Sequence, residues 1–541
     1  MYSVFAALAV FVCAGFTASA SWALLAFYAV SGDEGGPSIP RLGAKAAAFS
    51  IVFLASIVGL FVLRTHRPDF TAVRPAPLPV WDRRALLPLA LVVLIAAAAS
   101  GLRLRAYPHV EPDEAHHLVV ARNIAVHGVY GSGMPATGFR RFDDYDSVGP
   151  TVLLPVAAAI RVFGDPLLGG RAAMAAVFVL LSIVVYRFMS QAASPAAGVG
   201  AAVFMLLAPG SLYLARTLYG EAPALAYLVA ALLMWNRALA SPRPIALCAV
   251  SGLLFGCALV TKYFLVVAVW PALGMWVYDT MTHRRIRPVH ALVPAVVALA
   301  TLASWIAVTS RYGPQGSGTA AGHVSMYQHN LLFGLHSLDT TLGWLADHWI
   351  ATLLYLALGL LCAAPAAMVT AYSPAFLFLL CFAVLNTYWW VFFTTGTIPR
   401  YLWFGMAIGA ACTGRALATG CGARPTALRV AAFATVSLLA AWDAAPRVYG
   451  MLTRDEMRDE FGLIETLQRD YAGKRLATTF YPVERIVNLL AEIPAPWLHV
   501  SEPWTEYDAV IVDRTSQPDA AKGAVANVGR YAIVEMGKGP T

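Results

Sequence analysis

The sequence is poor in charge. Asp, Glu, Lys and Arg make up 13% of its 541 residues, where soluble domains carry about 25%. Lysine is the scarcest cation: Lys262 stands alone between Lys45 and Lys474. The seven cysteines are scattered, mostly inside apolar runs, and none form a CxxC pair. A disulfide framework or zinc ribbon is thereby excluded, and the cysteines read as small core side chains. No basic stretch precedes the first apolar run, so that run reads as a retained span and not as a cleaved signal peptide. A Gly-rich phosphate loop, an internal repeat and a low-complexity tract are also missing. So is the pair of interrupted helices in matching halves that marks a secondary transporter.

Apolar residues are what the chain has in abundance, at 59% against about 45–50% in soluble proteins. A polytopic membrane protein fits this balance. Disorder, collagen and a lone soluble enzyme do not. The net charge of +8 would suggest nucleic acid in a soluble chain. Here arginines cluster in short segments between apolar runs, as in cytoplasmic loops, so no nucleic acid partner is expected.

A helix needs about 20 apolar residues to cross a bilayer. Runs that reach or approach this lie at 4–30, 46–63, 85–101, 169–189, 196–214, 220–238, 245–261, 264–279, 290–309, 349–371, 374–394, 401–418 and 428–445. They predict about 13 transmembrane helices. The arginine-rich segments after the second run (Arg64, Arg67, Arg74, Arg83, Arg84), the eighth (Arg284, Arg285, Arg287) and the twelfth (Arg415, Arg424, Arg429) all fall on one side. That side is expected to be the cytoplasm, with the N-terminus there and the C-terminus outside. The arginine-rich, lysine-poor composition suggests a bacterial source, and hence the inner membrane.

Two long stretches fall on the outer side, 102–168 and 310–348, and loops of that length are usually functional. From about 448 to 541 the pattern changes. Amphipathic helical segments (MLTRDEMRDEFGLIETLQRDY, VERIVNLLAEI) alternate with short β-rich ones (KRLATTF, YDAVIVDR, RYAIVEM). They predict a small α/β domain, periplasmic under this orientation, with a scaffold or acceptor-guiding role rather than a catalytic one.

The densest chemistry is HVEPDEAHHLVVARNIAVHG, residues 109–128. Pro112 suits the first position of a helix, and Asp113 and Glu114 suit its first turn, where acids favour the helix dipole. Capping alone does not explain why Glu111, His109, His116 and His117 gather at the same membrane boundary, where titratable groups are costly unless used. Arg122 reads as a solvated helix charge. FRRFDDYDSVGP adds Asp143, Asp144 and Asp146, an acidic cluster suited to sugar hydroxyls, an amino sugar or a divalent ion, or else to a solvated turn. The spacing of the histidines and acids matches no zinc pattern, and no metal or cofactor is expected. In the 310–348 loop, His323, Tyr327, His329, His336, Asp339, Trp344 and His348 mix groups that stack on sugars with the aromatics of an interfacial belt.

PDEAHHLVVARNI resembles the acidic motif in the first outer loop of the GT-C glycosyltransferases, nearest to the protein O-mannosyltransferases and the lipid A aminoarabinose transferase. Four further stretches follow in register. GPTVLLPVAAAIRVFGDPLLGGRAAMA is similar to the interfacial helices after that motif, and YLARTLYGEAPALAYLVAALL to the second outer loop with its acid. GLLFGCALVTKYF resembles a span ending in Thr-Lys, and IPRYLWF resembles the late Arg-Tyr motif. The resemblance implies a GT-C membrane core over 85–447, preceded by two additional helices within 1–84 and followed by the 448–541 domain.

It also implies an activity: inverting transfer of a sugar from a polyprenyl-phosphate donor to a glycolipid, lipid A, glycan or protein acceptor at the outer face. Asp113 would be the general base, with its pKa raised by apolar surroundings and by Glu114. Glu114 would orient Asp113 or bind sugar hydroxyls, and Glu221 would be the second acid. The anionic leaving group needs cations, for which Lys262, Arg216 and Arg400 are the candidates. His116, His117, Asp143, Asp144, Asp146, Tyr401 and His329 would contact substrate. In relatives the interfacial helices often open with Lys-Pro-Pro, but here the motif is Val148-Gly149-Pro150. Lys262, Arg216 or Arg400 therefore has to replace that lysine. A lipid-linked glycan polymerase or ligase of the same fold, and a transporter or flippase, are the competing readings. A transporter would place its ionisable residues at the midplane, whereas here they gather at outer helix ends.

Overall fold

The structure, a computed structural model, describes residues 2–31, 39–65, 83–142, 148–191, 194–282, 287–312, 374–393, 399–422, 427–498, 504–522 and 524–536. Elements are numbered over these residues. The expected span 349–371, the loop from 313 onward with His329, and Asp143, Asp144 and Asp146 lie outside them.

Helices occupy the other expected apolar ranges. They are α1 (Tyr2–Ser31), α2 (Ile39–Thr65), α3 (Arg83–Gly101), α6 (Pro166–Ser190), α7 (Pro195–Leu207), α9 (Glu221–Ala240), α10 (Pro244–Thr261), α11 (Val269–Thr282), α12 (Pro288–Tyr312), α13 (Pro374–Phe393), α14 (Trp403–Gly422) and α15 (Ala427–Thr453). Among the described residues, α6, α9, α10 and α12 are long and apolar enough to cross a membrane. On α2, Ile51, Leu54, Val58 and Phe61 are exposed at helical spacing, an apolar stripe of the kind that faces lipid. Two expected runs are interrupted. The run at 196–214 breaks after α7 and restarts as the short α8 (Ser211–Leu214), because Gly210 turns left-handed at φ 79°. The run at 264–279 opens with a 3-10 turn (Tyr263–Ala268) before α11, directly after Lys262.

The stretch 102–168, expected on the outer side, is folded around two helices. These are α4 (Pro112–His127), α5 (Pro150–Phe163) and, between them, a hairpin of β1 (Gly131–Met134) and β2 (Gly138–Arg141). Pro112 opens α4, and Gly128 ends it in the left-handed conformation at φ 68°, its N–H reaching the carbonyls of Asn123 and Ile124. This is an ordinary proline start and glycine stop. The C-terminal segment folds as α16 (Arg458–Asp470), β3 (Leu476–Thr478), α17 (Tyr481–Ala491), β4 (Ala509–Asp513), β5 (Ala526–Val528) and β6 (Tyr531–Glu535). Its sheet runs β3-β4-β6-β5, with only the β3–β4 pair parallel.

One apolar core joins α4, α5 and α6 to the C-terminal segment, through Leu118, Val152, Val156, Met174, Met457, Ile486 and Leu489. Polar contacts fix the seam. Arg122, expected to be solvated, is instead buried. Its Nη1 donates to the carbonyls of Asn488 (2.6 Å) and Leu489 (3.2 Å), capping the C-terminal turn of α17, where a cation is favoured. Glu460 of α16 accepts at Oε1 from Tyr531 Oη and pairs there with His109 Nε2, each at 2.7 Å. Burial pushes the Glu460 carboxyl up, but the hydrogen bonds from His109 and Tyr531 outweigh it and hold its pKa below the usual glutamate value.

Glu114 fixes α4 against α6. Arg171 of α6 donates from Nε to Oε1 (3.0 Å) and from Nη2 to Oε2 (2.9 Å), and both side chains are fully buried. Its Nη1 donates to the Leu104 carbonyl at 2.8 Å. Removing one member of such a pair strands the other charge, at a cost of about 3–5 kcal/mol. Arg171→Met is therefore expected to lower the thermal unfolding midpoint of the detergent-solubilised protein sharply, and Glu114→Leu/Arg171→Met to lower it less. Equal losses would show that the pair does not anchor α4.

Candidate functional site

Four backbone ends converge at the N-terminus of α4. Asp113 is the second residue of that helix, and Glu221 is the first residue of α9. Lys262 directly follows α10, and Arg400 sits in the 3-10 turn Pro399–Tyr401 that precedes α14. Helix ends account locally for these residue types, since acids suit N-terminal turns and a cation suits the end of α10.

The charges pair across the elements. Arg400 Nη2 donates to Asp113 Oδ2 at 2.6 Å, and Lys262 Nζ lies 3.4 Å from Glu221 Oε1. Glu221 and Lys262 are buried, whereas the Asp113 side chain is 55% exposed and that of Arg400 18%. Asp113 also feels the charge of Lys262, and Arg400 feels that of Glu221, so the two pairs form one electrostatic cluster. The Arg400 guanidinium lies 4.3 Å from the centre of the Tyr219 ring and 5.4 Å from that of Tyr401, two cation–π contacts that help hold it.

This corrects the expected electrostatics of Asp113. Burial raises its pKa, but the charge and hydrogen bond of Arg400 outweigh burial, and the net shift is downward. The carboxylate is thus held ionised by a cation, not poised near neutrality by apolar surroundings. Glu114, facing Arg171, contributes no free oxygen to the site: both of its oxygens are taken.

His116 and His117 lie on the same helix face as Asp113, three and four residues on. His117 is buried, with Nδ1 2.8 Å from the Leu218 carbonyl. A carbonyl only accepts, so Nδ1 carries the proton and Nε2 is the acceptor nitrogen of the neutral ring. Burial first, and then the nearby charge of His116 and Lys262, push its pKa down to about 3, so it is neutral at physiological pH. His116 accepts at Nδ1 from Arg485 Nη1 of α17 at 3.0 Å, which ties the C-terminal segment to the site helix.

Arg216 is not part of the cluster. It is buried with its guanidinium against the end of α3, Nη1 donating to the Leu102 carbonyl and Nη2 to the Ala99 carbonyl, both at 2.7 Å, with Met451 Sδ also in contact. These are carbonyls that the helix itself leaves without partners. The sequence-predicted residues brought together are therefore Asp113, His117, Glu221, Lys262, Arg400 and Tyr401, with His116 at the edge.

Position 148 lies beside Lys262. A Cβ built on Gly220 would lie 3.2 Å from Lys262 Cε and 3.3 Å from Val148 Cγ2, so Val148 and Lys262 flank the same glycine. Gly220 itself is left-handed at φ 83°, a conformation that suits glycine. One residue on, a side chain at Gly149 would run into the Val260 carbonyl. The start of α5 thus lies hard against the end of α10, and Thr151 and Thr261 share a hydroxyl hydrogen bond of 2.7 Å. The Lys262 ammonium stem occupies the neighbourhood of the residue where the resemblance leads one to expect lysine.

Sequence reasoning missed Arg171, Tyr219 and Arg485. Arg171 left a signal, a single charge within an apolar run. Tyr219 sits inside the RTLYGEA stretch without marking itself. Arg485 left none, being 369 residues from its partner. Among the described residues no group of three or more His, Cys, Asp or Glu side chains is placed to hold a metal ion.

Residues 147–307 match the family described as dolichyl-phosphate-mannose-protein mannosyltransferase. No curated protein sequence matches the chain. Among solved structures it is similar to ArnT from Cupriavidus metallidurans bound to undecaprenyl phosphate, with a TM-score of 0.60 and 14% identity, over 84% of this chain and 98% of that one. The apo state of the same protein gives a TM-score of 0.56 at 14% identity, over 84% and 97%. The whole-chain likeness is one of fold, and the family pattern lies in the stretch that supplies Glu221 and Lys262. The chain thus has a GT-C-like fold built on the apolar helices of a multi-pass membrane protein, and residues 147–307 carry the mannosyltransferase family pattern.

Proposed function

We propose that the protein transfers a sugar from a polyprenyl-phosphate donor to an acceptor hydroxyl at the outer face of the bacterial inner membrane, with inversion at the anomeric carbon. The observation that carries this reading is the cluster of Asp113, Arg400, Glu221 and Lys262 at converging helix ends. A carboxylate that is half exposed, beside two cations of which one is buried, suits a proton acceptor next to a phosphate leaving group. The similarity of fold to an ArnT that holds undecaprenyl phosphate supports a donor of the same lipid class.

In this reading Arg400 offers planar guanidinium hydrogen bonds and Lys262 a point charge to the phosphate. Both stabilise the charge that develops as the sugar–phosphate bond breaks. Asp113 takes the proton of the acceptor hydroxyl. Glu221 holds Lys262 in place. His116, His117 and Tyr401 line the sugar, and the C-terminal segment, on the periplasmic side, guides the acceptor through the α4–α17 seam. No metal or cofactor is assigned a role.

Purified protein given a panel of radiolabelled polyprenyl-phosphate sugars is expected to consume one of them. Asp113→Asn should reduce that turnover by about 10²–10⁴-fold, the usual contribution of a general base. Full activity in the variant would return Asp113 to a helix-capping role. A folded protein that consumed no donor would favour the ligase or transporter reading. Lys262→Met should also lose turnover, and adding Val148→Lys in that background should restore part of it by returning a cation to the same side of Gly220. If the added lysine restored nothing while the protein stayed folded, Lys262 would have no phosphate role.

A further inference from the structure

The charges of the cluster cancel. Asp113 is matched by Arg400 and Glu221 by Lys262. Among the described residues, the other titratable groups facing them are His117, which is neutral, and the tyrosines Tyr213, Tyr219 and Tyr401. Glu484 and Arg485 approach from α17 on the side of His116. Among the described residues, a site with no net charge has no cation to spare for an incoming phosphate. Under the function proposed above, on which this inference rests, the donor brings one negative charge, and that charge has to displace a carboxylate from its partner.

The two pairs differ in how easily they part. Glu221 is fully buried and Lys262 nearly so. Neither Glu221 oxygen has another hydrogen-bond partner among the described residues, and separating a buried pair leaves an uncompensated ion in an apolar setting. Asp113 is 55% exposed, so water solvates it once released. Arg400 lies over the Tyr219 ring, a contact that exchange of its anion does not require it to break. Its Nε is buried without a hydrogen-bond partner among the described residues, which leaves a second donor for an anion that approaches edge-on.

We propose that the Asp113–Arg400 ion pair is a lock that the donor opens. The donor's phosphate takes Arg400, Asp113 is freed to act as base, and the enzyme therefore uses donor before acceptor. The chemistry then balances. The acceptor oxygen bonds to the anomeric carbon as its proton passes to Asp113. The bond from that carbon to the phosphate oxygen breaks with its electron pair, leaving polyprenyl phosphate with one more negative charge on Arg400 and Lys262. Asp113 gives its proton to water and recaptures Arg400 as the lipid leaves. Closed, the lock keeps the base from activating water or acceptor when no donor is bound. Its physical basis is competition for one guanidinium, and Arg400, which lowers the Asp113 pKa when bound to it, ceases to do so when the phosphate holds it.

The test titrates Asp113 directly. Infrared difference spectra of the full chain in detergent follow the carboxyl band against pH, with Asp113→Asn to assign it, in the absence and presence of undecaprenyl phosphate. Native mass spectrometry of the same samples reports lipid binding. Without lipid the Asp113 midpoint is expected below the usual carboxylate range. With lipid it should rise by about one to two pH units, a ten- to hundredfold gain in proton affinity. Arg400→Gln should show the raised midpoint already without lipid, and Arg400→Lys guards against a folding failure by retaining a cation. A wild-type midpoint that stays put although lipid is bound overturns the lock and leaves the glycosyltransferase reading standing. Absence of lipid binding to folded wild-type protein overturns both.

Discussion

Charge that lies at the edge of a hydrocarbon layer has to be matched, and most of this structure follows from how a chain so poor in ions matches the few it keeps. Glu114 is fully buried because Arg171 meets both of its oxygens. Arg216 is buried because it satisfies the carbonyls that α3 leaves open. Arg122 is buried because α17 ends over it. Each match ties one segment to another across a large sequence separation, so α3, α4, α6 and the C-terminal segment reach their mutual positions through ions as well as through apolar packing. Asp113, Arg400, Glu221 and Lys262 stand apart from these ties, and those four meet at one place.

That division separates charges that build the fold from the charges of the proposed reacting cluster. Glu114 and Asp113 are neighbours in sequence and carry the same group, yet one faces an arginine in a dry interior and the other an arginine at a wet boundary. The first pair is costly to part and serves the fold. The second is accessible to an anion that competes for its arginine. The C-terminal segment contributes through the same helix. Arg485 on His116, Arg122 on the end of α17 and Glu460 between His109 and Tyr531 secure the outer side of α4, so the orientation of Asp113 depends on a segment more than three hundred residues away.

The apolar helices and the α/β alternation after residue 450 were legible in the sequence because both depend on local periodicity. So was the concentration of chemistry at 109–117, together with Glu221, Lys262 and Arg400, because a lone ion beside an apolar run is conspicuous. What the sequence could not tell was which ions meet. Arg216 and Arg400 read alike, each an arginine near an outer helix end, and only the packing of α3 distinguishes a carbonyl cap from a partner of Asp113. The direction of the Asp113 pKa shift was misread for the same reason. Burial was visible in the composition around it, but Arg400 lies 287 residues away. The Val148-Gly149-Pro150 departure left a missing cation open among three candidates. The tight approach of α5 to α10 and the shared neighbour Gly220 place Lys262 beside position 148.

The central claim is that a lipid phosphate sits between Arg400 and Lys262 beside Asp113. An electron cryomicroscopy structure of the protein with undecaprenyl phosphate tests it most directly. The account predicts phosphate density within hydrogen-bonding reach of both cations, and the Asp113 carboxylate turned away from Arg400 toward the open side of the site. Phosphate bound elsewhere, or bound with the Asp113–Arg400 contact intact, would contradict it.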